Sequence, residues 1–157
     1  MEKHLKKAKT WNMVLIILGL LSLISTVISI PKTLNPKLSD YEMMGSMAQS
    51  MFDYANNPLM KGIAILGLVI SIVLLIYYFM ANKKLSDEII PPKFPYYIKI
   101  GWSLLSTAIG FILQPQMQME GMDFTFMTTI IGIIVQLIIL IPAILVIVHL
   151  FKAEPEE

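Results

Sequence analysis

Cysteine is absent from this chain, and so is arginine, since all twelve basic residues are lysine. The first absence excludes disulfides, thiolate metal sites, redox relays and thiol nucleophiles together. The second removes the planar guanidinium fork that grips phosphate or carboxylate through two parallel hydrogen bonds. Histidine is scarce too: His4 and His149 are the only two, and neither has a nucleophile motif or an HExxH-like pair around it. Acids cluster as Asp87-Glu88 and as Glu154, Glu156 and Glu157 in the tail. Both groups read as solvated segments, where nothing raises a carboxyl pKa to catalytic use. No enzymatic chemistry, cofactor or resident metal is therefore expected. A formal net charge of +1 gives no reason to expect nucleic acid.

Charge is also missing from the interiors of four long apolar runs, residues 11–30, 58–81, 95–113 and 124–151, with Lys61 and Lys99 near the starts of the second and third. As helices rising about 1.5 Å per residue, all four are long enough to cross a hydrocarbon core of about 30 Å. A chain that is 56% hydrophobic and 15% charged, with mean hydropathy +0.71, is too apolar for an ordinary soluble domain. The fold expected is all-α: a polytopic membrane protein forming one antiparallel four-helix transmembrane bundle over residues 1–157.

Lys3, Lys6, Lys7 and Lys9 stand directly before the first run, which is the pattern of a cytoplasmic flank. The rival is a signal peptide, with Val27-Ile28-Ser29 imitating a cleavage site. The apolar run, however, exceeds an h-region of about 7 to 15 residues, so uncleaved anchoring is expected. Threading four spans from a cytoplasmic N-terminus brings the C-terminus back inside and leaves residues 31–57 and 114–123 outside. Lys3, Lys6, Lys7, Lys9, Lys83, Lys84, Lys93, Lys99 and Lys152 then lie inside, against Lys32, Lys37 and Lys61 outside. That asymmetry follows the positive-inside rule and implies a multi-pass protein of the cell membrane. Trp11, Tyr77, Tyr78, Tyr96 and Tyr97 mark the inner interface. Asn57-Pro58 and Phe94-Pro95 read as helix starts, and Pro31 and Pro115 as stops.

Helices in lipid associate through small residues and interhelical hydrogen bonds. Ser22 and Thr26, Gly67 and Ser71, Ser103 and Thr107, and Gly132 and Gln136 supply such a seam, one pair per span. Gln136 is the strongest hydrogen-bonding side chain inside any span and is expected to bridge two helices. The same polar, uncharged positions would line the pathway of a small oligomeric transporter or channel, which is the alternative function. Lys99 is expected to lift its ammonium to the headgroups.

The stretch YEMMGSMAQSMFDY holds four of the chain's twelve methionines. Ser39-x-x-Glu42 fits a capping box, so a short amphipathic helix from Ser39 to about Ala55 is expected in the first outer loop. Met43, Met47 and Met51 fall at four-residue steps on it, with Met44 and Phe52 widening the stripe. Met117, Met119 and Met122 repeat the theme in the second outer loop. Such a surface could rest on lipid, hold a protein partner through adaptable thioethers, or capture Cu(I). With no outer His or Cys to assist, copper is the weakest of the three. The function expected is a non-enzymatic membrane protein that acts by protein–protein contact through this Met-rich face, as an accessory, regulatory or immunity-type subunit. Its partners would be the bilayer and either a membrane or extracytoplasmic protein or a further copy of the chain.

Overall fold

The computed structural model describes residues 1–116, 118–119 and 122–154, with backbone alone for 118–119 and 122. Four helices among them are long and apolar enough to cross a membrane: α1 (Glu2–Leu34), α3 (Pro58–Ser86), α4 (Phe94–Leu113) and α5 (Thr125–Phe151). Between α1 and α3 lie a 3-10 segment, Leu38–Met47, and the short helix α2, Ala48–Asn56. Between α4 and α5 the backbone makes one two-residue antiparallel pairing, Gln118 opposite Asp123 and Met119 opposite Met122.

The first two apolar runs sit inside helices longer than themselves, because flanking polar residues continue the same hydrogen-bonded ladder, while the last two match α4 and α5 to within one residue. The lysine-rich start belongs to α1, where Lys6 pairs with Glu2 one turn away. Pro31 does not stop α1. It forfeits one intrahelical bond, to the Val27 carbonyl, and the next turn still closes as the Asn35 N–H donates to the Pro31 carbonyl at 3.1 Å. At the start of α3 the Asn57 side chain accepts from the Leu59 N–H at 2.9 Å, with Pro58 in the first turn where its missing donor is not needed. At its end the Ile89 N–H reaches back to the Lys84 carbonyl at 2.8 Å around Glu88, which takes φ 58. That is a Schellman closure with glutamate where glycine is usual. The start of α5 is held by Asp123, which accepts from the Thr125 N–H at 2.8 Å. The Thr125 hydroxyl and N–H beside it keep the Asp123 carboxyl below the usual carboxylate range.

Helix α1 packs against α3 and α5, and α4 packs against the same two. The core gathers at one end of this arrangement, the end where α1 begins and α5 finishes. Leu5, Ala8, Leu15 and Ile16 of α1 meet Leu74, Leu75, Tyr78, Ala81 and Leu85 of α3 there, with Tyr96 of α4 and Ala143, Val146, Ile147 and Leu150 of α5. Pro91 of the α3–α4 turn and Pro95 in the first turn of α4 are fully buried with them, so the proline-rich segment is itself core material. The same end is tied by an ion pair between Lys93 and Glu154, with the Lys93 ammonium 3.7 Å from the centroid of the Phe151 ring. Towards the far end the helices expose large apolar side chains; Ile28 is 74% and Ile112 80% exposed.

Candidate functional site

The methionine stretch is not one helix. Gly45, at φ 57 and ψ −124, breaks it, and a residue with a Cβ rarely adopts that conformation. The segment's cap also differs from the expected Ser39–Glu42 box, since the Asp40 carboxylate accepts from the Lys37 N–H at 3.3 Å instead. Met43 and Met44 therefore lie before the break, and Met47, Met51 and Phe52 lie at or after it, so no single stripe forms. Met43 is 102% exposed and Met44 is exposed, while Met47, Met51 and Phe52 are half-buried. The other side of this cap is anchored. Tyr41 and Phe52 meet edge to face with centroids 6.4 Å apart, and Tyr54 reaches over α4 close to Gly110. Burial pushes the Tyr54 hydroxyl above its ordinary range. An open hollow of about 340 Å³ lies beneath, between Ser29 and Lys32 of α1, Tyr41 and Tyr54 of the cap and Met60 and Ile63 of α3. Residues 38–57 carry Asp40, Glu42 and Asp53 and no lysine. Met117 and the side chains of Met119 and Met122 lie outside the described residues.

The small residues of the long helices mostly receive a bulky neighbour. A Cβ added at Gly19 would lie 3.2 Å from Leu75, one at Gly67 3.5 Å from the Trp102 indole, and one at Gly132 3.1 Å from the Phe111 ring. Ser103 is buried, Thr26 and Thr107 are half-buried, and Ser22 is exposed along α1. Gln136 does not bridge helices as expected. Its Nε2 is buried and makes no hydrogen bond among the described residues, while Gln114 donates to Thr129 Oγ1 at 2.7 Å and ties the end of α4 to α5.

The interhelical bridge is Asn12. It is 0% exposed, donates from Nδ2 to the Tyr78 carbonyl of α3 at 2.9 Å, and accepts from the Tyr96 hydroxyl of α4 at 2.8 Å. Tyr78 and Tyr96 stack at 5.5 Å beside it. Sequence reading passed over Asn12 because it adjoins Trp11 at the edge of an apolar run, where an amide reads as interfacial. The available signal was that Leu5, Ala8, Asn12, Leu15 and Ile16 recur at helical spacing on one face, so Asn12 sits in the middle of an apolar stripe.

Just past this bridge is a cavity of about 180 Å³ lined from all four long helices. Gly19 and Ser22 come from α1, Ser71, Leu75 and Tyr78 from α3, Lys99 from α4 and Ile139 from α5. Lys99 thus borders the space between the helices rather than simply reaching for the outer surface, and it has no hydrogen bond or ion pair among the described residues. Tyr78 lines the cavity as well, with its hydroxyl buried out of reach of it and making no hydrogen bond among the described residues.

At the terminus end His4 and His149 bring their Nδ1 atoms to 3.3 Å. Two ligands of one tetrahedral metal stand at about that spacing. Lys3, Lys7, Lys152 and the N-terminal ammonium surround the pair, however, and repel a cation. No group of three metal-binding side chains occurs among the described residues. Comparison with protein-family models, curated proteins and solved structures finds no match to this chain. Its chemistry has to be argued from these contacts.

Proposed function

We propose that the chain is an integral membrane protein whose long helices cross the bilayer as an antiparallel bundle with both termini cytoplasmic. It acts by protein contact, as an accessory, regulatory or immunity-type subunit. Hydrocarbon is the solvent that suits so many exposed Leu, Ile, Val and Phe side chains on α1, α3, α4 and α5. The lysine asymmetry supplies the direction.

The observation that carries the contact reading is Met43, fully exposed on a cap whose Tyr41 and Phe52 pack on each other and whose Tyr54 reaches α4 close to Gly110. Thioethers held outward on a fixed support can repack around varied apolar side chains. The three carboxylates of the cap, with no lysine among them, favour a partner segment that flanks its apolar residues with Lys or Arg. They also disfavour rest on an anionic lipid surface. The occupant proposed is a cationic, amphipathic polypeptide segment on the extracytoplasmic side.

The test uses the full chain in nanodiscs of zwitterionic lipid and a fluorescent amphipathic Leu/Lys helical peptide. Loaded discs should bind the peptide well above empty ones, and Met43→Lys with Met44→Lys should abolish the excess while leaving the helices folded. Equal binding by wild type, double variant and empty discs would end this reading. Orientation is separately accessible because the chain has no cysteine. A single cysteine at position 43 should react with an impermeant maleimide in intact cells, and one at position 3 only after permeabilisation.

The transporter alternative is favoured by one observation, the cavity reached by all four long helices. Proteoliposome flux that Gln136→Leu removes would support it.

A further inference from the structure

The Lys99 cavity has the composition of a ligand site and is independent of the cap. Its wall holds an ammonium with no partner and two serines, set among leucine, isoleucine and glycine. Tyr78 lines it too, with its hydroxyl closed off from the open space. Lys99 is half-buried, and a lysine in a spanning segment is kept where its ammonium meets a counter-charge. Lys99 lies five residues beyond Phe94, the first residue of α4, about 7.5 Å along the helix. Ser22 and Ser71 are further from the terminus end, so the cavity extends inward from the ammonium rather than toward the headgroups.

Charge, size and access narrow the ligand. One lysine, no arginine in the chain and no acid in the lining fit a single negative charge. A space of about 180 Å³ compares with a cavity of roughly 150 Å³ that accepts benzene, so it holds about half a dozen carbon atoms beside a small head. A two-chain phospholipid head with its glycerol does not fit. Leu18 and Ser22 of the lining are exposed on the flank of α1, so the cavity opens sideways, where hydrocarbon would lie. We propose that this cavity binds the carboxylate and first methylenes of a long-chain fatty acid entering from the bilayer. Lys99 is its counter-ion, and the rest of the chain leaves past Leu18 and Ser22.

The full chain in nanodiscs is labelled with a photoactivatable sixteen-carbon fatty acid, and sites are mapped by mass spectrometry. Label should concentrate on residues 15–22 and 71–78, with unlabelled palmitate competing and its methyl ester failing to compete. Lys99→Met should lose site labelling at least tenfold. Tyr78→Phe, which removes a hydroxyl closed off from the cavity, should leave palmitate labelling within about twofold of wild type. Helicity and unfolding midpoint, measured on both variants, separate loss of site from loss of fold. Competition by acetate equal to that by palmitate would overturn the proposal in favour of a free anion from water. Equal competition by the methyl ester, or unchanged labelling in Lys99→Met, would show lipid-face partitioning and overturn it outright.

Discussion

Replacing Asn12 with alanine tests the packing end of the molecule most directly. Two hydrogen bonds disappear, Nδ2 to the Tyr78 carbonyl at 2.9 Å and the Tyr96 hydroxyl to Oδ1 at 2.8 Å. Interhelical hydrogen bonds in membranes average about 0.6 kcal/mol and reach about 1.7. Tyr96, at 0% exposure, would keep a hydroxyl that has lost its hydrogen bond, and an orphaned buried donor costs about 1–3 kcal/mol. A loss of about 2–4 kcal/mol is expected, at the upper end if the vacated space does not collapse. Tyr96→Phe removes the second bond and leaves the buried Asn12 Oδ1 without its donor, so it should cost about 1–3 kcal/mol. In the double variant neither orphan exists and the shared bond is lost only once, so the two changes together should cost at least about 2 kcal/mol less than their sum. Unfolding of the detergent-solubilised chain by dodecyl sulfate, followed by tryptophan fluorescence, gives these values. Trp11 adjoins Asn12 in sequence and Trp102 lies over Gly67, so the chain's two tryptophans report from different depths. Strict additivity within about 0.3 kcal/mol, or an Asn12→Ala variant as stable as wild type, would refute the bridge.

Three further outcomes use the same assay or a simple label. Gly132→Ala pushes a Cβ to 3.1 Å from the Phe111 ring, whereas Gly101→Ala meets nothing within 4 Å. The first should destabilise by about 1–3 kcal/mol relative to the second, and equal midpoints would deny the α4–α5 contact. Glu88→Gly should be more stable than Glu88→Ala by about 1 kcal/mol, because only glycine takes φ 58 freely; no difference would mean that the turn after α3 is closed in another way. Mild peroxide treatment of the protein in nanodiscs should oxidise Met43 and Met44 before the half-buried Met47 and Met51. Uniform oxidation across the four would mean that the cap is not anchored as described.

Sequence alone determined which stretches are apolar enough to span a membrane, because length and hydropathy are properties of a segment and need no partner. It also gave local punctuation, such as the Asn57-Pro58 start of α3, since a cap is made within a few residues. Its failures over which helix faces meet share one cause. In lipid the inward and outward faces of a helix are both apolar, so hydropathy does not reveal which way a helix is turned. Leu15 and Ile16 are buried while Ile17, Leu18, Leu20 and Leu21 are exposed, with nothing in their composition to separate them. Only the tertiary arrangement decided that Asn12 points at Tyr78 and Tyr96, that Lys99 borders an interhelical cavity and that Gln136 lacks the partner expected for it. Gly45 was visible as a glycine, yet its break of the methionine stripe became legible only where the cap folds back onto α3, because packing against another helix selects the backbone conformation that glycine merely permits.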